Sequence, residues 1–163
     1  MPIQMTLISM FTIGIPSFVL ALEPNHERIK GNFFINIISK SLPAAISVVL
    51  NIIIIAIITN LFHLSLGEFS TLSVILTGYT GILLLFKISV PFNTIRKGLL
   101  MFIIAGFSAG IIFGKSLFSL AHLNIYSILI LISLIAFSTF LFLLILKLSE
   151  KAKFRFKQTK FSR

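Results

Sequence analysis

The chain has 163 residues, 57% of them hydrophobic and only 11% charged, with a mean hydropathy of +1.09. Soluble domains carry about 25% charged residues, so a surface that faces water on every side is excluded and lipid must cover much of this one. Fourteen Lys and Arg stand against four acids, all glutamate (Glu23, Glu27, Glu68 and Glu150), for a formal charge of +10. The absence of cysteine removes disulfides, thiolate metal sites and cysteine nucleophiles together. The basic residues cluster between and after apolar runs, the pattern of membrane topology, so no nucleic-acid partner is expected.

Five apolar runs approach the roughly 20 residues needed to cross the hydrocarbon core. The first, 3–22, carries no charge and lacks both a basic leader and a small-residue cleavage site, so it reads as a retained span. A polar stretch follows, Glu23 to Arg28, containing Pro24. Next comes Phe33 to Ile38, apolar but too short to span, which is expected at the interface or as an extension of the following helix. The second span is predicted over 42–62, with Pro43 in its first turn, where proline is tolerated. The third covers 71–86 and stops at Val90-Pro91-Phe92-Asn93. The fourth, 98–114, is short, and the fifth, 125–146, is almost wholly Leu, Ile and Phe. Residues 147–163 form a basic tail in which cationic and bulky side chains alternate, suited to anionic headgroups. Long uncharged runs must be helical in lipid, because every backbone amide needs a partner within its own segment. The fold class is therefore all-α, a polytopic membrane bundle of about five helices over 1–146.

With five spans, Arg28, Lys30, Lys40, Lys87, Arg96, Lys97 and the seven basic residues from Lys147 onward share one side, and only Lys115 lies on the other. The positive-inside rule makes that side cytoplasmic, placing the N-terminus outside and the C-terminus inside.

The first run holds the candidate site. Pro16 lacks an N–H, so the carbonyl of Thr12 loses its usual helical donor, and Gly14 lets the backbone loosen between them. Ser9 and Thr12, three apart, are expected to share a helix face. Hydroxyl and carbonyl oxygens gathered at bilayer depth suit a hard cation, and broken helices of this kind are where transporters bind ions. The plainer reading is a proline kink satisfied by a neighbouring helix. In the fourth span Gly106, Gly110 and Gly114 recur every four residues, a packing face for close helix approach. Asn51 is expected to hydrogen-bond another helix, Glu68 to stand alone in an outer loop, and His26, His63 and His122 to be solvated, none with a second ligand at metal spacing.

The stretch Pro2-Ile3-Gln4 through Pro16, followed by Ala21-Leu22-Glu23-Pro24, resembles the sixth transmembrane helix of P-type cation-transporting ATPases. The calcium-pump pattern there is P-x-Q-x-x-x-x-N-x-x-T-D-G-x-P-A, matched by Pro2, Gln4, Thr12, Gly14 and Pro16. Ser9 stands at the family's asparagine and Ile13 at its aspartate. Isoleucine cannot ligate a cation, so calcium-pump coordination does not carry over intact. The Thr-Ile-Gly-Ile-Pro form is similar to a bacterial branch, the cation-transporting ATPase E group. The resemblance implies helices six to ten of a longer pump in a bacterial inner or plasma membrane. Its partners would be lipid, a transported cation, and the pump's helices one to five with its cytoplasmic domains.

The family phosphorylates an aspartate in Asp-Lys-Thr-Gly-Thr, and this sequence contains no aspartate and no Gly-x-x-x-x-Gly-Lys phosphate loop. No enzymatic activity and no cofactor are therefore expected of this chain, ATP and Mg²⁺ belonging to the complete pump. The alternative is a small membrane protein standing by itself, a channel subunit or accessory scaffold.

Overall fold

The computed structural model describes residues 2–22, 33–90, 92–113, 118, 120, 121 and 123–161. Among these the chain is helical and contains no strand. The elements are α1 (Pro2–Ile8), a π-helical turn (Ser9–Gly14), α2 (Ile15–Leu22), α3 (Phe33–Leu61), α4 (Leu66–Ile88), α5 (Thr94–Phe113) and α6 (Ile125–Phe161). Among the described residues, five helical stretches are long and apolar enough to cross a membrane: Ile3–Leu22, Lys40–Leu61, Leu66–Ile88, Thr94–Phe113 and Ile125–Ser149. The first of them is α1, the π-turn and α2 taken as one rod, called here the first helix.

Two helices run well past their apolar runs. The segment from Phe33 continues into α3, so Pro43 lies ten residues inside a 29-residue helix, not in its first turn. Hydroxyls on either side of the proline back-bond to carbonyls one turn earlier. Ser41 Oγ donates to the Ile37 carbonyl at 3.1 Å, and Ser47 Oγ to the Pro43 carbonyl at 2.7 Å. The 37 residues of α6 make a rod of about 55 Å, at 1.5 Å per residue. That is well beyond the roughly 30 Å of hydrocarbon, so the helix carries the basic segment on as far as Phe161.

Local chemistry sets the helix ends. His63 adopts a left-handed φ of 50° after α3, and Leu64 N–H then bonds back to the Thr59 carbonyl at 3.0 Å. This is a Schellman stop with histidine where glycine is usual. Ser65 then caps α4 in a capping box. Its Oγ accepts from Glu68 N–H at 3.2 Å, and the Glu68 carboxylate accepts from Ser65 N–H at 3.0 Å. The backbone carbonyls of Asn93 and Asn124 accept the first helical bonds of α5 and α6, at 2.9 and 3.0 Å.

Contact order fixes the helix directions. Gln4 meets Ser70 and Thr12 meets Gly81, so the first helix and α4 run parallel. Glu68 meets Ser127 and Thr80 meets Ser138, so α6 runs parallel to them. After the short connection at 62–65, α3 is antiparallel to α4. So is α5, in which Phe107 faces Gly78. Lys40, Lys87, Arg96, Lys97 and Lys147 consequently lie at one end of the bundle, and Glu68 at the other.

The packing divides around α4. One cluster joins Ile55 of α3, Leu72 and Leu76 of α4, and Leu134 of α6. Two others join the first helix with α4 and α5: Leu7, Val74 and Phe107 toward one end, and Leu85, Leu99 and Ile103 toward the other. Thus α4 is shared by a triplet α3–α4–α6 and a triplet of the first helix, α4 and α5. The core residues are few and the outward faces are rich in Ile, Leu, Phe and Met, as lipid-facing helices require.

Candidate functional site

The π-turn falls on the segment singled out by Thr12, Gly14 and Pro16. Ile15 N–H bonds to the Met10 carbonyl, five residues back instead of four. An α-helical Pro16 would press its ring against the Thr12 carbonyl and leave that carbonyl without a donor. Widening the turn ahead of the proline relieves the contact. Gly14 is not sterically required there, since a Cβ would meet the Ser9 carbonyl at 3.5 Å, an ordinary van der Waals distance. Single π-turns inside α-helices often mark functional positions.

The two hydroxyls expected on one face are placed differently. Ser9 is exposed, whereas Thr12 is half-buried against α4. The Thr12 Oγ1 donates to the Ile8 carbonyl at 2.7 Å, which leaves the oxygen's lone pairs as the free functionality. Ile13 and Gly14 are exposed and Pro16 is buried. Two turns before Thr12, Gln4 is buried, its Oε1 accepting from Ser70 of α4. The first helix therefore presents Ser9 and the exposed edge of the π-turn away from the bundle, and seats Gln4 and Thr12 against α4.

Glycines build the seats. An added Cβ at Gly81 would lie 2.7 Å from Thr12 Cγ2 and 2.9 Å from Thr12 Cβ, so only glycine admits the threonine. On α5, a Cβ at Gly106 would lie 2.4 Å from the Phe11 ring and one at Gly110 2.7 Å from Leu7 Cδ1. The glycine row of α5 thus faces the first helix within the chain. Gly114 lies outside the described residues. Gly78 of α4 holds the ring of Phe107, which packs edge to face with Phe11, ring centroids 6.5 Å apart and planes at 73°.

On the opposite side of α4 lies an uncharged polar cluster. Asn51 Nδ2 donates to Ser138 Oγ at 2.8 Å and to Thr80 Oγ1 at 3.2 Å, while Thr80 Oγ1 donates to the Leu76 carbonyl at 2.8 Å. Tyr79 and Thr139 share a hydrogen bond of 2.7 Å one position away. The expectation that Asn51 binds another helix is met, and its partners come from two. Glu68, expected to stand alone, does not. Besides capping α4, its carboxylate accepts from Ser127 Oγ at 2.7 Å and ties the start of α6 to that of α4. The Ser65-x-x-Glu68 spacing carried the capping signal, but nothing in it pointed to Ser127. Equally, no sequence signal paired Thr12 with Gly81, or Gln4 with Ser70. Among the described residues no three His, Asp or Glu gather as a metal site. His26 and His122 lie outside the described residues.

A bundle whose described residues are helical, with five helices long and apolar enough to cross a membrane, defines a polytopic α-helical membrane protein. Its relatives are P-type cation-transporting ATPases, to part of which the chain is homologous. It is 34% identical over 118 residues, 70% of its own length, to the probable cation-transporting ATPase exp7 of Streptococcus pneumoniae. It is 45% identical over 47 residues, 29% of its length, to the calcium-transporting ATPase CtpE of Mycolicibacterium smegmatis, and 43% identical over 42 residues, 26% of its length, to that of Mycobacterium bovis. The chain spans about 15% of the pneumococcal relative and 6% and 5% of the mycobacterial ones. No protein-family model and no solved structure matches it.

Proposed function

We propose that this chain forms the C-terminal membrane region of a bacterial P-type cation-transporting ATPase, helices six to ten of the complete pump. The basic end faces the cytoplasm, and the first helix enters from outside. In this reading the first helix lines the ion path at the π-turn. Ser9 and the loosened backbone up to Gly14 face the rest of the pump, and Thr12 offers its oxygen from the α4 side. The other four helices brace it. The observation that carries the reading is the π-helical turn at Ser9–Gly14, inside the segment whose Gln4, Thr12, Gly14 and Pro16 resemble the pump motif.

Ile13 supplies no ligand, so the charge of a bound cation must be balanced by carboxylates on helices one to five, because an unpaired charge at bilayer depth is expensive. Calcium, the cation in the name of the mycobacterial relatives, fits the hard oxygen donors of the first helix. ATP and Mg²⁺ act elsewhere in the pump. This sequence supplies neither the phosphorylated aspartate nor a phosphate loop, and by itself it hydrolyses no ATP.

The test is a graft. The pneumococcal relative, with its matching 118-residue segment replaced by this one, is reconstituted in vesicles and assayed for ATP-driven cation uptake. The graft should transport, and Thr12→Val and Ser9→Ala should each cut uptake about tenfold or more, the scale of one lost ligand-type interaction. A graft that inserts and folds yet moves no cation rejects the reading, as does cation-stimulated ATP hydrolysis by the isolated chain.

A further inference from the structure

The turn Gly78-Tyr79-Thr80-Gly81 touches every other helix of the bundle. Gly78 seats Phe107 of α5, and Tyr79 bonds to Thr139 of α6. Thr80 takes the Asn51 amide of α3 and lies 3.4 Å from Ser138 of α6. Gly81 seats Thr12 of the first helix. Four consecutive residues make one full turn of 3.6 residues, so each points to a different quarter of the surroundings. The polar members bind the α3–α4–α6 triplet, and the glycines receive the triplet that contains the first helix.

The two contact types respond differently to rotation. A glycine seat is a hole, and a modest turn of α4 about its axis moves the hole away from Thr12. The hydrogen bonds on the far side are directional, weakening steeply off line, and they stand where water cannot replace them. Asn51, Thr80 and Ser138 are 1%, 0% and 0% exposed. Thr80 has its own acceptor in the Leu76 carbonyl, so its hydroxyl oxygen is already oriented for the Asn51 amide.

We propose that this turn is the joint of the bundle, and that Asn51 is a positioning residue for the first helix. Held by Ser138, the Asn51 amide fixes the rotation of Thr80, and so of the adjacent Gly81 seat in which Thr12 rests. The Asn51 amide bonds to Thr80 and Ser138 and acts on Thr12 through α4. The importance of Thr12 rests on the proposed function, but the positioning itself does not.

The sequence has no cysteine, so disulfide formation can report the geometry in the full chain in lipid vesicles, with neither cation nor ATP present. One reporter is the pair Gln4→Cys with Ser70→Cys, which meet between the first helix and α4 without disturbing the Gly81 seat. The other is Leu7→Cys with Gly110→Cys, between the first helix and α5, which does not pass through α4. Asn51→Leu should slow cross-linking of the first pair at least threefold while leaving the second within twofold, and Asn51→Gln, which retains an amide, should restore the parental rate. Unchanged cross-linking of the first pair in Asn51→Leu overturns the proposal. So does an equal loss at both pairs, which would mean general loosening, or a Gln variant that behaves like Leu. Because no transport is measured, failure of the ion-pathway reading leaves this result standing, and the reverse also holds.

Discussion

Replacing Gly78 by alanine is the most direct perturbation of the packing. The new Cβ would stand 2.0 Å from Phe107 Cζ and 2.6 Å from both Cε atoms. Carbon atoms rest at about 3.5–4.0 Å, so the ring must retreat by roughly 1.5 Å. It has little room to do so. Phe107 is 4% exposed, shares a cluster with Leu7 and Val74, and meets Phe11 edge to face. Overpacking of this kind costs about 1–3 kcal/mol. The assay is SDS titration of the reconstituted chain, followed by circular dichroism because the sequence has no tryptophan and two tyrosines. Gly78→Ala should lower the unfolding free energy by about 1–3 kcal/mol. In a Phe107→Ala background the same change should cost less than about 0.5 kcal/mol, since neighbouring sites couple through the shared space. A Gly78→Ala cost that is the same in both backgrounds would refute the reasoning, because the nearest atoms to the new Cβ all belong to that ring.

Two further changes test local backbone chemistry. His63→Gly should stabilise the chain by about 1 kcal/mol in the same titration, because a non-glycine residue pays about that much for a left-handed φ. No gain would mean that the imidazole makes a compensating contact. Pro16→Ala restores an N–H and removes the ring, so the π-turn should relax toward α-helix. The carbonyl ¹³C shifts of Met10 and Thr12 in lipid nanodiscs should then move as their donors change, and unchanged shifts would show that the proline does not cause the π-turn.

Much of the molecule was readable before its fold was known. The number of membrane helices followed from uncharged runs, since lipid leaves the backbone no alternative partners. The irregularity in the first helix was signalled by Gly14 and Pro16, two residues whose backbone properties travel with them into any context. The helix limits were less legible. The third and fourth apolar runs, 71–86 and 98–114, correspond to helices Leu66–Ile88 and Thr94–Phe113, because caps and polar turns prolong a helix beyond its oily part. Pro43 misled for the same reason, its helix having begun ten residues earlier.

What the chain alone determined is set by water and lipid: which segments enter the bilayer, which ends carry charge, and where the backbone must deviate. The tertiary structure alone decided which faces meet. In a soluble helix the apolar stripe marks the buried side, but a membrane helix is apolar all round, so periodicity says nothing about facing. The roles of Gly78 and Gly81, the pairing of Asn51 with Ser138 across 87 positions, and the seat of Thr12 on α4 depend on complementary shape and directional bonds between distant segments. Such contacts exist only once five rods have packed, and no local run of residues encodes them.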